Sequence, residues 1–195
     1  MMKNIPKRSF LLLCIPIVGI LCFGLHSCNS TQKAKTASSS TYIKKYMDKQ
    51  AFEIQRYVKD SKVERVGDSI KITFVNEVFF DLNKYELRPE AESSVNRLVA
   101  ILKKYAKTYN IIQGHTDNSG DDAYNISLSY KRADEVRKYL IAHDIAPERL
   151  NAYGVGDTQP IASNETETGR AKNRRVVIWI TSDYGLKEEA EARKR

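Results

Sequence analysis

The stretch YNIIQGHTDNSGDDAYNISLSYKRADEVRKYLIAHDIAPERLNAYGV, residues 109–155, decides the architecture. Tyr109 to Gln113 reads as a short strand feeding the loop Gly114-His115-Thr116-Asp117-Asn118-Ser119-Gly120, whose residues favour turns. A long helix is predicted from about Asp122 to His143, with Ile126, Ala133, Val136 and Leu140 turned inward. Leu150 to Val155 then suggests another strand.

Upstream, Val63 to Val66, the turn Gly67-Asp68, and Ile70, Ile72 and Phe74 alternating with Lys71 and Thr73 predict a hairpin. A further apolar piece, Val78-Phe79-Phe80, ends at Asp81. Pro89 opens a helix with Glu90 and Glu92 in its first turn and Ala91, Val95, Leu98, Leu102 and Tyr105 as its buried stripe. Lys103, Lys104 and Lys107 gather at its C-terminal end, where the helix dipole favours them. Downstream, residues 166–173 make a helical turn or two, and Arg175 to Thr181 a closing strand in which Trp179 is a packed sheet residue. Helices alternating with strands give an α+β class: a two-layer α/β sandwich with a mixed four-stranded core sheet and an added N-terminal hairpin. Gly185 to Arg195 is charged and expected to fray.

The N-terminus is organised differently. Lys3, Lys7 and Arg8 precede an apolar run from Phe10 to Leu25, and Cys28 follows, the layout of an export signal over residues 1–27. A membrane-spanning helix needs about 20 apolar residues, more than this run supplies. Asn29 to Thr41 is small and polar, a composition that cannot bury enough apolar surface to order itself. With Cys28 it is expected to form a tether over residues 28–41. An amphipathic helix over residues 42–60 places Ile43, Met47, Ala51, Ile54 and Val58 on one side. The folded domain is expected over residues 61–183, and a charged tail over 184–195.

The net charge is +8, and without the three leader cations 29 basic residues face 24 acidic ones. That excess suits an anionic polymer or lipid surface and does not call for nucleic acid as a partner. Of three cysteines, Cys14 and Cys22 leave with the signal, so the exported chain keeps Cys28 alone and forms no internal disulfide. Leu25-His26-Ser27-Cys28 resembles a bacterial lipobox, in which the cysteine becomes the lipidated N-terminus; His26 departs from the residue usual there.

On the long helix, Asn125, Leu128, Ser129, Arg132, Ala133, Val136 and Leu140 share a face, which puts Arg132 on the semi-buried side. A desolvated guanidinium needs an anionic partner, and the nearest candidate upstream is Asp117. Either the two close a structural salt bridge, or they flank a pocket and each binds one charge of a zwitterionic ligand.

Four motifs bear on that choice: GHTDNSG (114–120), NISLSYKRADEVRKYL (125–140), Gly154-Val155-Gly156-Asp157 with Gln159-Pro160-Ile161-Ala162, and GRAKNRRVVIWI (169–180). In this order, over about Val63 to Thr181, they resemble the C-terminal domain of OmpA, of peptidoglycan-associated lipoprotein and of the flagellar stator protein MotB. The resemblance implies a non-covalent site for the diaminopimelate of the peptidoglycan stem peptide, with Asp117 taking its ammonium and Arg132 its carboxylate. It places Phe80, Asp81 and Asn83 at a strand end facing the pocket, where a core aromatic and an ordinary turn are the plainer reading. Thr116, Asn125 and Leu128 are further lining candidates, and Arg170 and Arg174 are candidates for the ligand carboxylate, the glycan or plain surface.

No enzyme, cofactor or metal is expected. His115 has no second histidine nearby in sequence and is expected to order its loop by hydrogen bonds, while Ser119, Ser127 and Ser129 lack a nucleophile elbow. A wall hydrolase would need a second domain. A MotB-type stator would need an ionisable residue in its membrane helix, and Phe10 to Leu25 has none. The expected protein is an outer-membrane lipoprotein, lipid-anchored at Cys28 with its domain in the periplasm. Peptidoglycan is its partner, and a homodimer or envelope proteins are further candidates.

Overall fold

Gly67, at φ +57°, makes the reversal that lets Ser61–Val66 (β1) pair antiparallel with Ser69–Val75 (β2), as the alternating pattern predicts. This computed structural model describes residues 28–75, 79–81 and 84–193, with side chains from Ser39 onward. The export signal of residues 1–27, Val78 and Asn83 lie outside the described residues.

The remaining strands are Thr108–His115 (β3), Leu150–Gly156 (β4) and Arg175–Ser182 (β5). They complete one five-stranded sheet of order β1-β2-β5-β3-β4, parallel only between β3 and β4. The α+β class holds, but the strand count needs correction. β2 is itself a core strand, and Phe79 and Phe80 fill the core without forming a strand. Across the inner face Ile72, Ile178 and Ile112 stand side by side in register. They pack beneath the helices Cys28–Tyr57 (α1), Pro89–Lys104 (α2) and Asp122–Ala142 (α3). On the opposite face Trp179 is half-buried, donates Nε1–H to Gln113 Oε1 at 3.0 Å and carries Lys71 Nζ 5.4 Å from its ring centre.

Two glycines seat α3. A β-carbon at Gly114 would overlap the Ser129 carbonyl, and one at Gly154 would overlap the Ile126 carbonyl and the Tyr130 backbone nitrogen. Only glycine lets helix and strands approach this closely. Of the predicted inward residues, Ala133, Val136 and Leu140 are buried, but Ile126 is 42% exposed. The buried stripe runs through Asn125, Leu128, Ser129, Arg132, Ala133, Val136 and Leu140, the face the spacing from Asn125 predicts.

α1 corrects the expectation at the N-terminus. No proline or glycine interrupts residues 28–57, and the helix runs through all of them, so the stretch expected as a tether has helical backbone. Once the downstream turns dock through Met47, Ala51, Ile54 and Val58, each residue added upstream gains a hydrogen bond without a new nucleation cost. The helix stops at Tyr57, before the expected Asp60, whose φ of +57° turns the chain into β1.

The C-terminal tail also differs. After the short helix Glu167–Asn173 (α4) and β5, residues Tyr184–Ala192 form helix α5. Asp183 accepts a hydrogen bond from Leu186 N at 2.8 Å as its N-cap. Leu186 and Ala190 are buried, and Tyr42 of α1 donates to Glu189 at 2.8 Å, so the tail is docked instead of frayed.

Candidate functional site

The sharp end of the molecule lies where β3 runs into the 116–121 loop and α3 begins. Asp121 caps α3, accepting from Tyr124 N at 2.7 Å, which fixes the helix start beneath the loop. Thr116 donates its backbone N–H to Gly156 O at 3.0 Å, tying the loop to the end of β4.

Asp117 is nearly buried, with its carboxylate engaged on both oxygens: Oδ1 accepts from Ser119 N at 2.9 Å and Oδ2 from Arg174 Nη1 at 2.7 Å. Burial opposes its ionisation, but the hydrogen bonds from Arg174 and Ser119 outweigh that and hold its pKa below the usual carboxylate range. The ion pair open to Asp117 is therefore made with Arg174, not with Arg132. Arg174 also reaches Glu167 Oε1 at 2.8 Å.

Arg132 is only 2% exposed. Its Nε donates to the Lys84 carbonyl at 2.9 Å and its Cζ lies 5.5 Å from the centre of the Phe80 ring. Among the described residues, its terminal nitrogens have no hydrogen-bond partner and no carboxylate lies within 4.0 Å of them. Desolvation pulls its pKa down to about 10, with Arg174 pushing the same way and Tyr124 and Asp117 opposing. Asp117 and Arg132 thus feel each other electrostatically without bonding. A buried guanidinium lacking a counter-ion is costly to the fold, and its terminal N–H groups can receive an anion.

Around this pair, Leu128 is buried, and Thr116 Oγ1 and Asn125 Nδ2 are buried polar atoms without hydrogen-bond partners among the described residues. Phe80 is the floor under Arg132. Asp81 is exposed and pairs with Lys84 at 3.3 Å and Arg88 at 3.8 Å, as part of a neighbouring hollow of about 440 Å³ that also includes Glu86, Leu87 and Glu90. Arg170 is held by Glu167 at 2.8 Å and by the Asn164 carbonyl at 2.8 Å.

His115 does not order the loop by hydrogen bonding as expected. It is 2% exposed, and neither ring nitrogen has a hydrogen-bond partner among the described residues. Burial, then the charges of Arg175 and Lys71, push its pKa down to about 3, so the ring is neutral. Arg175, its register neighbour on β5, is buried too and, among the described residues, bonds only main-chain oxygens, those of Asn173 and Gln159 at 3.1 and 3.0 Å. Sequence reading missed three groups that shape the site: the Lys84 carbonyl, Ser119 N and Glu167. Two are main-chain groups without a side-chain signature, and the Asp117–Arg174 contact spans 57 residues, which no local periodicity announces.

Comparison with known proteins matches residues 79–174 to a family described as the OmpA family. The chain is 36% identical over 138 residues to the probable lipoprotein YiaD of Escherichia coli (strain K12), covering 70% of this chain and 63% of that protein. Among solved structures, the cell wall anchor of the T6SS from Pseudomonas aeruginosa superposes with a TM-score of 0.61 at 30% identity, covering 70% of this chain and 97% of that one. The peptidoglycan-associated lipoprotein from Burkholderia pseudomallei superposes with a TM-score of 0.51 at 29% identity, over 53% of this chain and 88% of that one. The chain spans between 31% and 63% of the length of three curated relatives it matches: an outer membrane porin F, YiaD and an outer membrane protein A.

Proposed function

This chain belongs to the OmpA family, and from that premise we propose that it binds peptidoglycan without covalent chemistry, through the diaminopimelate of the stem peptide. What carries the reading is Arg132, a buried cation with no carboxylate beside it among the described residues, set near an ionised Asp117. A carboxylate on the ligand supplies the missing counter-ion to the Arg132 fork, and two parallel bonds are the geometry a guanidinium favours. The ligand's ammonium shares Asp117 with Arg174, since each carboxylate oxygen accepts more than one hydrogen bond. Thr116 Oγ1 and Asn125 Nδ2 offer further polar contacts, Leu128 and Phe80 take the aliphatic chain, and Arg174 positions Asp117. Asp81 remains a candidate at the rim, Asn83, outside the described residues, remains a candidate by resemblance alone, and Arg170 acts through the α4 turn.

The likeness to a peptidoglycan-associated lipoprotein and to a cell wall anchor supports the wall as partner. The likeness to a probable lipoprotein supports Cys28 as the lipidated residue. In this reading acyl chains at Cys28 hold the protein in the outer membrane with its domain in the periplasm, and weak wall sites suffice because many anchored copies face a repetitive polymer. The role is a linker and not an enzyme. Among the described residues no helix is long and apolar enough to cross a membrane.

Asp117→Ala or Arg132→Ala should each abolish pull-down by insoluble peptidoglycan while circular dichroism remains that of the folded chain. Unchanged pull-down by a folded variant removes that residue from the site. Each charge-assisted bond contributes about 1.5 to 3 kcal/mol, enough for one deletion to cancel a modest affinity.

A further inference from the structure

α1 has two working faces. Inward, Met47, Ala51, Ile54 and Val58 enter the core. Outward, at steps of four, three and four, Lys45, Lys49, Phe52 and Arg56 form a single exposed stripe. Phe52 is 61% exposed, an apolar ring held in water among three cations. Tyr57, also exposed, lies at the end of the stripe with the Arg56 guanidinium 5.4 Å from its ring centre.

The stripe is not a salt-bridged surface. The two acids of α1 are committed elsewhere: Asp48 to Arg65 at 3.1 Å, and Glu53 to Lys104 at 2.6 Å and Tyr105 at 2.9 Å. Among the described residues, Lys45, Lys49 and Arg56 make no ion pair. On α2, by contrast, Lys103 and Lys104 are both paired.

We infer that this outward stripe of α1 docks on an anionic phospholipid surface, with Phe52 entering the headgroup boundary and Lys45, Lys49 and Arg56 facing phosphates. One aromatic ring surrounded by cations fits a plane of negative headgroups with hydrocarbon just beneath. A protein partner of useful affinity would need a wider apolar patch than one phenylalanine and a tyrosine provide. The inference does not depend on the ligand of the cleft, which is built from other elements.

The test uses the full chain carrying Phe52→Trp, mixed with phosphatidylcholine vesicles with or without phosphatidylglycerol and with quencher-labelled lipid. The unsubstituted chain, whose only tryptophan is Trp179, serves as the blank. The introduced indole should be quenched by lipid in the anionic vesicles. Changing Lys45, Lys49 and Arg56 to Gln should weaken that contact about fivefold per cation removed. These positions are exposed, so circular dichroism should stay unchanged. Absence of lipid quenching overturns the inference, as does equal quenching with and without phosphatidylglycerol. If the Gln variants lose peptidoglycan pull-down while lipid quenching persists undiminished, the stripe is a wall contact and the inference also falls. Loss of pull-down by Asp117→Ala, or its retention, leaves this readout unaffected.

Discussion

The two ends of this domain treat charge in opposite ways. Where α1 meets α5, Glu189 accepts from Tyr42 at 2.8 Å, Lys107 at 2.7 Å and Arg193 at 2.8 Å, and these bonds, Lys107's first, hold its pKa down at about 2. Where β3 runs into the 116–121 loop and α3 begins, Arg132 and Arg175 are buried without a carboxylate among the described residues, and His115 is buried without a hydrogen-bond partner there. The first end is exposed, saturated and inexpensive to form; the second is desolvated and unsaturated. A fold gains nothing from buried, unpaired charge, so such charge persists where something outside the fold completes it. On the proposed reading, the contrast separates the part of the molecule that is stabilised from the part that is held ready for a ligand.

The largest expected effect breaks the contrast with acid. His115 is neutral in the folded state, with its pKa lowered to about 3 from an unfolded value near 6.5. Its stability contribution is complete above the unfolded value and is lost as pH falls below it, because the unfolded chain takes up a proton that the folded chain refuses. The slope approaches about 1.4 kcal/mol per pH unit below about pH 6.5 and levels off near the folded value. Glu189, depressed to about 2, keeps its pairing across that window and gives way only below it. Urea denaturation from pH 7 to pH 5 should therefore show falling stability, and His115→Phe should flatten the curve. A flat curve for the unsubstituted chain would mean that the imidazole has water or a partner after all.

The next effect is smaller and of opposite sign. Arg132→Met removes a buried cation while keeping a long side chain over Phe80. Replacing a buried charge by an apolar group of similar size should stabilise the fold by about 1 kcal/mol. The same substitution should end peptidoglycan pull-down. A denaturation midpoint that rises while binding disappears is the signature of a charge kept for function. If Arg132→Met destabilises by more than about 3 kcal/mol, the residue is a structural ion whose counter-charge lies near it, and the cleft is not held ready.

How much of this was legible in the sequence follows from how local each signal is. The strands, the α2 stripe from Ala91 to Tyr105 and, on α3, Ala133, Val136 and Leu140 depend on periodicities of two and 3.6, and they appear where expected. Arg132 was legible as semi-buried by the same means. Its freedom from Asp117 was not, because the competing partner Arg174 arrives from a short helix 57 residues downstream. Ile126 was misplaced because hydrophobicity outweighed phase: the approach of α3 to β3 and β4 is set by Gly114 and Gly154, which admit the backbones of Ser129, Ile126 and Tyr130, while the Ile126 side chain stays 42% exposed. The tether and the tail misled for a shared reason. Polar composition signals lack of a core, yet a helix tip can continue from a docked segment, and Leu186 and Ala190 suffice to dock nine residues.

The smallest expected effect tests the saturated end. Glu189→Gln leaves an acceptor for Tyr42 but removes the charge that Lys107 and Arg193 face. Exposed ion pairs contribute little because water and salt screen them and long side chains lose entropy in forming them. The midpoint of urea denaturation should therefore move only slightly at low salt and not measurably at high salt, while the amides of α5 exchange somewhat faster. The apolar contacts of Leu186 and Ala190 keep the helix in place. Release of α5 as a whole by this single change would show that charge, and not burial, fastens the tail to α1. The two ends of the domain would then differ in degree of pairing but not in what charge does for the fold.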